Sequence, residues 1–244
     1  VTRGGPDWQG PGYRVAVVTL VPLLRAFTRR AWRGQENLPP TGGVLVVANH
    51  VSVADPTAVA YFVHAAGRRP RFLAKSTLFT TPVIGWVLST AAQIPVQRDS
   101  RHAGKAFDAA LEAVRAGECV IIYPEGTVTK DPAMWPMASK TGAARLALQT
   151  DVPVLPLAQW GAQDLLPPGA KRPRVWPRPT LQMQMGRPVQ LDDLRGVPMT
   201  ADVLRQATDR ILDALTAQVA AMRGEPVPAE RYDPRKAAAD GAAG

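Results

Sequence analysis

At 244 residues the chain can bury one substantial core, and it reads as a single domain with appendages rather than as two equal domains. With 46% hydrophobic and 20% charged residues it has the proportions of a globular protein, and its single cysteine, Cys119, excludes an internal disulfide framework and suits a reducing, cytosolic setting. Lys and Arg outnumber Asp and Glu by 29 to 20, a formal charge of +9, which suits an anionic partner: nucleic acid, an acidic membrane surface or a phosphorylated substrate.

Residues 1–12 are glycine-rich and polar and read as loosely ordered. The apolar run Val15 to Leu24 is followed by Arg25, Arg29, Arg30, Trp32 and Arg33. It falls short of the ~18 apolar residues of a membrane-spanning helix. Its charges follow the apolar run, the reverse of a secretory signal. Two readings stay open: an amphipathic helix lying in the membrane interface, or an N-terminal helix packed on the core. The run Gly42 to Ala48, introduced by Pro39 and Pro40, reads as a buried strand. Further strands are expected at Arg71 to Ala74, Gln93 to Gln97, Cys119 to Tyr123, Val154 to Trp160 and Thr180 to Met185.

Helical patterns lie between them. Phe107, Ala110, Leu111 and Val114 share one helical face, with Gly117 as the stop. Val203, Ala207, Ile211, Leu215, Val219 and Met222 form the apolar stripe of a long amphipathic helix. The stretch Leu78 to Leu88 reads either as a second membrane contact or as a core helix. Strands alternating with helices predict an α/β fold with a largely parallel central sheet flanked by helices. The expected divisions are an N-terminal membrane-associating segment (1–34), a catalytic domain (35–224) and a flexible or surface-hugging tail (225–244).

The most informative stretch is Asn49-His50-Val51-Ser52-Val53-Ala54-Asp55-Pro56, directly after the first buried strand. On one continuous helix His50 and Asp55 would lie roughly 140° apart and would not meet. A loop removes that obstacle, and Asp55-Pro56 favours one, with Asp as N-cap and Pro in the first turn. Asp55 could then fix the His50 tautomer and leave the other ring nitrogen as a base. Taken alone, the pair reads first as a helix cap beside a structural histidine.

Three further segments accompany it. Tyr123-Pro124-Glu125-Gly126-Thr127 closes another strand and puts a carboxylate, free amides and a hydroxyl where open α/β sheets bind ligands. Gln93 to Arg98 delivers Arg98 at a strand end, where its planar fork suits a phosphate. Val152-Pro153-Val154-Leu155-Pro156 is an apolar strand with two prolines. In this order the four blocks resemble those of the lysophosphatidic acid acyltransferase family, the bacterial glycerolipid acyltransferases. The connecting stretches Lys75 to Arg98 and Lys140 to Arg145 are also similar to that family.

The resemblance implies a glycerolipid-acyltransferase-like fold and an O-acyltransferase. It would move an acyl group from a thioester, acyl-CoA or acyl-carrier protein, to the free hydroxyl of lysophosphatidic acid, giving phosphatidic acid. It implies His50 as general base, Asp55 as its partner, and Arg98, Glu125, Gly126 and Thr127 lining the acceptor site, with Lys75 and Lys140 joining the anion-binding surface. No cofactor and no metal are expected. The implied place is the cytoplasmic face of the cell membrane, peripheral or monotopic, on an anionic surface. One departure bears on the acceptor: Val128 stands where family members usually carry arginine, with Lys130 or Arg98 as substitute cations. Ser52 reads as a loop-stabilising hydroxyl rather than a nucleophile, and Cys119, within a buried strand, as inert. Rival readings are acylation of glycerol 3-phosphate or another lysolipid and, from a different class, a basic lipid- or nucleic-acid-binding protein without catalysis. No nucleic-acid motif supports the last.

Overall fold

The computed structural model describes residues 10–97 and 103–242. The chain opens with α1 (Pro11–Phe27), β1 (Arg29–Arg33), β2 (Val44–Ala48), α2 (Asp55–Ala65) and β3 (Pro70–Lys75). It continues through α3 (Ile84–Thr90), β4 (Ile94–Val96), α4 (Ala103–Arg115), β5 (Cys119–Ile122) and α5 (Gly142–Leu148). It closes with β6 (Val154–Trp160), α6 (Ala162–Leu165), β7 (Thr180–Met185), α7 (Ala201–Arg223) and α8 (Pro234–Ala242). The strands form one sheet in the order β1-β7-β6-β2-β5-β3-β4. Every pair is parallel except β6 with β7, so the predicted largely parallel sheet is the fold.

The central strands carry unbroken apolar runs because helices cover both of their faces. In β2, Val44, Val46 and Ala48 join Phe62 of α2 on one side. Leu45 and Val47 join Ala110 and Val114 of α4 and Ala207 and Ile211 of α7 on the other. The long helix α7 takes Thr200 as N-cap, whose hydroxyl accepts from the Val203 N–H, and ends at Gly224 with φ +69°. α1 passes close to α3: a Cβ on Gly12 would lie 2.6 Å from the Val87 carbonyl oxygen, so only glycine allows that approach. No described helix is long and apolar enough to cross a membrane.

Two expectations need correction. Residues 29–33, placed in a membrane-associating appendage, form β1, an edge strand paired in parallel with β7. The boundary at residue 34 therefore falls beyond the first strand of the sheet. Trp32, read as an interfacial anchor, packs edge-on against Tyr61 and Phe62, and Arg30 lies over its ring and donates to the Tyr61 hydroxyl. The charged composition of β1 is typical of an edge strand that must not recruit another chain. The start of the tail lies along the surface, one of the two readings of that segment: Arg231 pairs with Asp209 and Asp213 of α7, and the Ala138 N–H donates to the Tyr232 carbonyl.

The topology defines one functional edge. β2, β3, β4, β5 and β6 run the same way, so their carboxyl ends open together. Because β7 runs against β6 and β1 runs with β7, both begin at that edge, with Trp160 opposite Gln182 and Arg29 opposite Thr180. Open α/β sheets bind ligands at the carboxyl ends of their strands.

Candidate active site

β2 ends at Ala48 and α2 begins at Asp55, so the intervening loop lies on the carboxyl edge of the sheet. Within it His50 Nδ1 and Asp55 Oδ2 approach to 2.7 Å, and the same oxygen accepts from the N–H groups of Val51 (2.6 Å) and Ser52 (2.9 Å). Asp55 is thus the first helical residue and not the N-cap expected of it; Ala54 is the cap. Its carboxylate reaches back into the loop and folds the loop around itself. The carboxylate is fully buried and the His50 side chain keeps 14% exposure.

Burial raises the Asp55 pKa, while the bonds from His50, Ser52 and Val51 pull it back down. A carboxylate accepting from Nδ1–H fixes the tautomer in which Nε2 carries the lone pair. Among the described residues Nε2 makes no hydrogen bond, so the basic nitrogen of a partly exposed imidazole is open to a ligand. Ser52 Oγ donates to the Leu166 carbonyl at 2.7 Å and accepts from the Ala54 N–H, which makes it a loop brace as expected.

Two supports around His50 were not legible in the sequence. The Tyr123 ring stacks on the imidazole with centroids 4.3 Å apart and planes at 24°, and Phe72 stacks in turn on Tyr123. Asn49, immediately before His50, is clamped to Gln159 of β6. Asn49 Nδ2 donates to the Gln159 carbonyl, the Gln159 N–H to Asn49 Oδ1, and Gln159 Nε2 to the Asn49 carbonyl, at 2.8–3.0 Å. Nothing in a single sequence links positions 110 residues apart, although an asparagine beside the candidate base was a visible hint.

Glu125 is buried rather than presented to a ligand. One of its oxygens accepts from the His50 N–H at 3.1 Å and the other from the Met137 N–H at 3.2 Å, so it joins the two motif loops. Burial pushes its pKa up to about 8, against the Met137 and His50 amides that favour the carboxylate, and the nearby charge of Asp55 adds to the rise. The Thr129 N–H donates to the His50 carbonyl at 2.7 Å, a second tie between the loops.

The remaining candidates divide. Gly126 turns the chain at φ +70°, beside half-buried Thr127 and Val128. Lys75 closes β3 at the same edge, exposed and paired with Val96 at the end of β4. Lys140 and Lys130 are exposed on the segment between β5 and α5. Arg98 lies outside the described residues. Cys119 is buried, and burial pushes its thiol up to about 12, so it is no nucleophile. His64 Nδ1 lies 2.8 Å from the Tyr13 hydroxyl and ties α2 to α1.

An oriented, partly exposed imidazole at the carboxyl edge of a parallel sheet can remove a proton from a hydroxyl and return it to a leaving group. The family model described as Acyltransferase matches residues 29–160. A chloroplastic 1-acyl-sn-glycerol-3-phosphate acyltransferase of Brassica napus is 35% identical over 141 residues, covering 57% of this chain and 39% of that protein. The 1-acyl-sn-glycerol-3-phosphate acyltransferase of Borreliella burgdorferi is 30% identical over 134 residues, covering 54% of this chain and 51% of that protein. The chain therefore spans about two fifths to half of the length of these relatives. The crystal structure of a 1-acyl-sn-glycerophosphate acyltransferase from Thermotoga maritima superposes with a TM-score of 0.64 at 24% identity. That likeness covers 88% of this chain and 84% of the other, and it shows the shared fold.

Proposed function

The chain belongs to the acyltransferase family, and on that footing we propose that it transfers a fatty acyl group from acyl-CoA to the free hydroxyl of lysophosphatidic acid. The observation that carries this reading is the 2.7 Å contact between His50 Nδ1 and a buried Asp55 carboxylate, with Nε2 left open at the carboxyl edge of the sheet. Relatives that act on 1-acyl-sn-glycerol 3-phosphate, by their names, supply the substrate class.

In the proposed reaction Nε2 of His50 takes the acceptor hydroxyl's proton as that oxygen attacks the thioester carbonyl. The imidazolium so formed sits against Asp55, whose negative charge stabilises it. Collapse of the tetrahedral intermediate breaks the carbon–sulfur bond, and the Nε2 proton passes to the departing thiolate. No covalent acyl-enzyme is required. Glu125 and the Asn49–Gln159 clamp act as positioning residues, because they hold the backbone that carries His50 and make no contact with substrate in this scheme. General-base catalysis of this kind contributes ~10²- to 10⁴-fold in rate, with alignment of the two substrates supplying much of the rest.

The acceptor reaches this site from a membrane surface in the proposed arrangement. Val18, Leu23 and Phe27 of α1 stand exposed, as do Val83, Ile84 and Trp86 at α3, and α1 and α3 pack side by side. A pair of short helices with an apolar outer face suits insertion into one leaflet. Peripheral attachment to the cytoplasmic face, where anionic lipids would meet the basic chain, is part of this proposal. Val128 makes the acceptor worth testing rather than assuming. The experiment is a product assay with purified protein, acyl-CoA or acyl-carrier protein as donor, and lysophosphatidic acid, glycerol 3-phosphate or a zwitterionic lysolipid as acceptor. Phosphatidic acid from lysophosphatidic acid is the expected product. Turnover confined to another acceptor would reassign the substrate, and no acyl transfer to any acceptor would remove the function.

A further inference from the structure

The segment between β6 and β7 has features that the acyl-transfer reading leaves unused. Across Leu166 to Pro179 it carries Lys171, Arg172, Arg174 and Arg178 with no acidic residue, and it contains five prolines. Trp176 at its tip is 85% exposed, the highest exposure of any large apolar side chain described. A tryptophan left so far in the open contributes nothing to the core, and large exposed apolar groups mark contact surfaces.

The placement of the segment is fixed at both ends. At its start, Ser52 of the catalytic loop donates to the Leu166 carbonyl at 2.7 Å. At its end, the Arg178 guanidinium donates to the carbonyls of Arg25 and Thr28, both at 2.8 Å, and so caps the last turn of α1. The segment therefore runs along the carboxyl edge from the His50 loop to the end of the helix whose exposed Leu23 and Phe27 face outward. A groove of about 470 Å³ opens beside Trp176, lined by Pro167, Pro177 and Pro179, with Arg174 and Arg178 at its side and Asp164 as its acidic member.

The geometry points to this segment as a second membrane-binding element, which seats Trp176 at the interface of an anionic bilayer and lays Lys171, Arg172 and Arg174 on lipid phosphates. The inference rests on the proposed membrane-surface reading and adds its lipid selectivity. Charge complementarity commits the occupant: Lys171, Arg172 and Arg174, with no carboxylate within Leu166 to Pro179, match an anionic lipid surface, and an indole beside them is the side chain favoured at the headgroup boundary. Proline-rich backbone limits the entropy lost on docking. Continuity with α1 makes the contact one surface rather than two, and it holds the open end of the dyad against the bilayer from which a lysolipid would come. A nucleic acid would also meet the cations but would leave the apolar α1 face unused.

The test uses the full chain and vesicles of phosphatidylcholine alone or mixed with about a third phosphatidylglycerol. The variants are Trp176→Ala, the pair Arg172→Gln with Arg174→Gln, and Leu23→Glu in α1. Arg178 is spared because it caps α1. The arginine pair is expected to weaken binding to mixed vesicles by roughly 10-fold or more and to flatten its salt dependence. Trp176→Ala is expected to weaken binding to both vesicle types several-fold. Both loop variants keep their melting temperature and their turnover of a monomeric short-chain acceptor, while turnover of a vesicle-embedded acceptor falls. Loss of binding in Leu23→Glu with unchanged binding in both loop variants overturns the loop's role and leaves the membrane reading standing. Wild-type protein that ignores both vesicle types overturns both. A gel shift of RNA or DNA that depends on Arg172 and Arg174, without an effect on vesicles, reassigns the surface and overturns the proposal.

Discussion

Replacing Asp55 by asparagine and by alanine separates two tasks that one carboxylate oxygen performs. Oδ2 accepts from His50 Nδ1, from the Val51 N–H and from the Ser52 N–H, all in a fully buried position. Asparagine can place its carbonyl oxygen there and keep all three donors satisfied. Its amide nitrogen then takes the place of Oδ1, which has no hydrogen-bond partner among the described residues, so one unpaired atom replaces another. The fold should tolerate this change with a melting temperature within a few degrees of wild type. Catalysis should not, because the imidazolium loses its counter-charge. A fall in kcat of ~10²- to 10⁴-fold is expected, with little change in KM.

Alanine removes the acceptor altogether. Two buried backbone N–H groups are then orphaned at about 1–3 kcal/mol each, together roughly 4 kcal/mol. For a domain of this size ~2–4 °C is lost per kcal/mol, so the melting temperature should drop by roughly 8–16 °C. The assay pairs differential scanning fluorimetry with steady-state thiol release. Asp55→Asn with near-wild-type kcat would refute the electrostatic role, and Asp55→Ala that melts with the wild type would refute the claim that this oxygen holds the loop together.

Two further outcomes follow from the same site. Glu125 titrates near 8 in the folded protein, above its unfolded value; between pH ~5 and 8 the folded state therefore holds a proton that the unfolded chain has released, and stability falls as pH rises through that window. Glu125→Gln cannot titrate, so its melting temperature should decline less between pH 5 and 9 than that of wild type; parallel curves would contradict the burial argument. Gln159→Leu takes the Nε2 donor away from the buried Asn49 carbonyl, while the Asn49 side chain keeps its two bonds to the Gln159 backbone; it should cost roughly 1–3 kcal/mol and lower kcat more than it raises KM. Unchanged kcat in a destabilised Gln159→Leu protein would limit the clamp to folding.

The centre of the sheet was legible because β2, β5 and β6 are short, largely apolar runs with helices on both faces, while β7 shows the alternation of a strand buried on one side. Six of the seven strands fall on the expected segments. The seventh, Arg29–Arg33, was hidden because an edge strand has one neighbour and keeps its charges, so its composition resembles that of a loop or a headgroup-facing anchor. The dyad was legible as a spacing plus a loop, since only a loop lets residues five apart meet. Its detail was not: Asp55 reads as a cap by propensity, yet its side chain turns back to three donors in the preceding loop instead of capping α2. Glu125 was expected at the acceptor because its turn follows a strand at the edge where open α/β sheets bind ligands, and because the family resemblance implied it. Two backbone amides from separate loops make its burial possible, and such amides leave no trace in side-chain chemistry. The Tyr123 platform and the Asn49–Gln159 clamp depend on β2, β5 and β6 lying side by side, which is a fact of topology rather than of local sequence.

In the proposed reaction Nε2 of His50 moves the proton during acyl transfer. The most direct measurement is the turnover of purified His50→Ala protein with acyl-CoA and lysophosphatidic acid, read as phosphatidic acid formed and CoA released, alongside its melting temperature and its binding to vesicles. A loss of at least ~10²-fold in kcat is expected, with fold and vesicle binding retained. Turnover within a few-fold of wild type would contradict it.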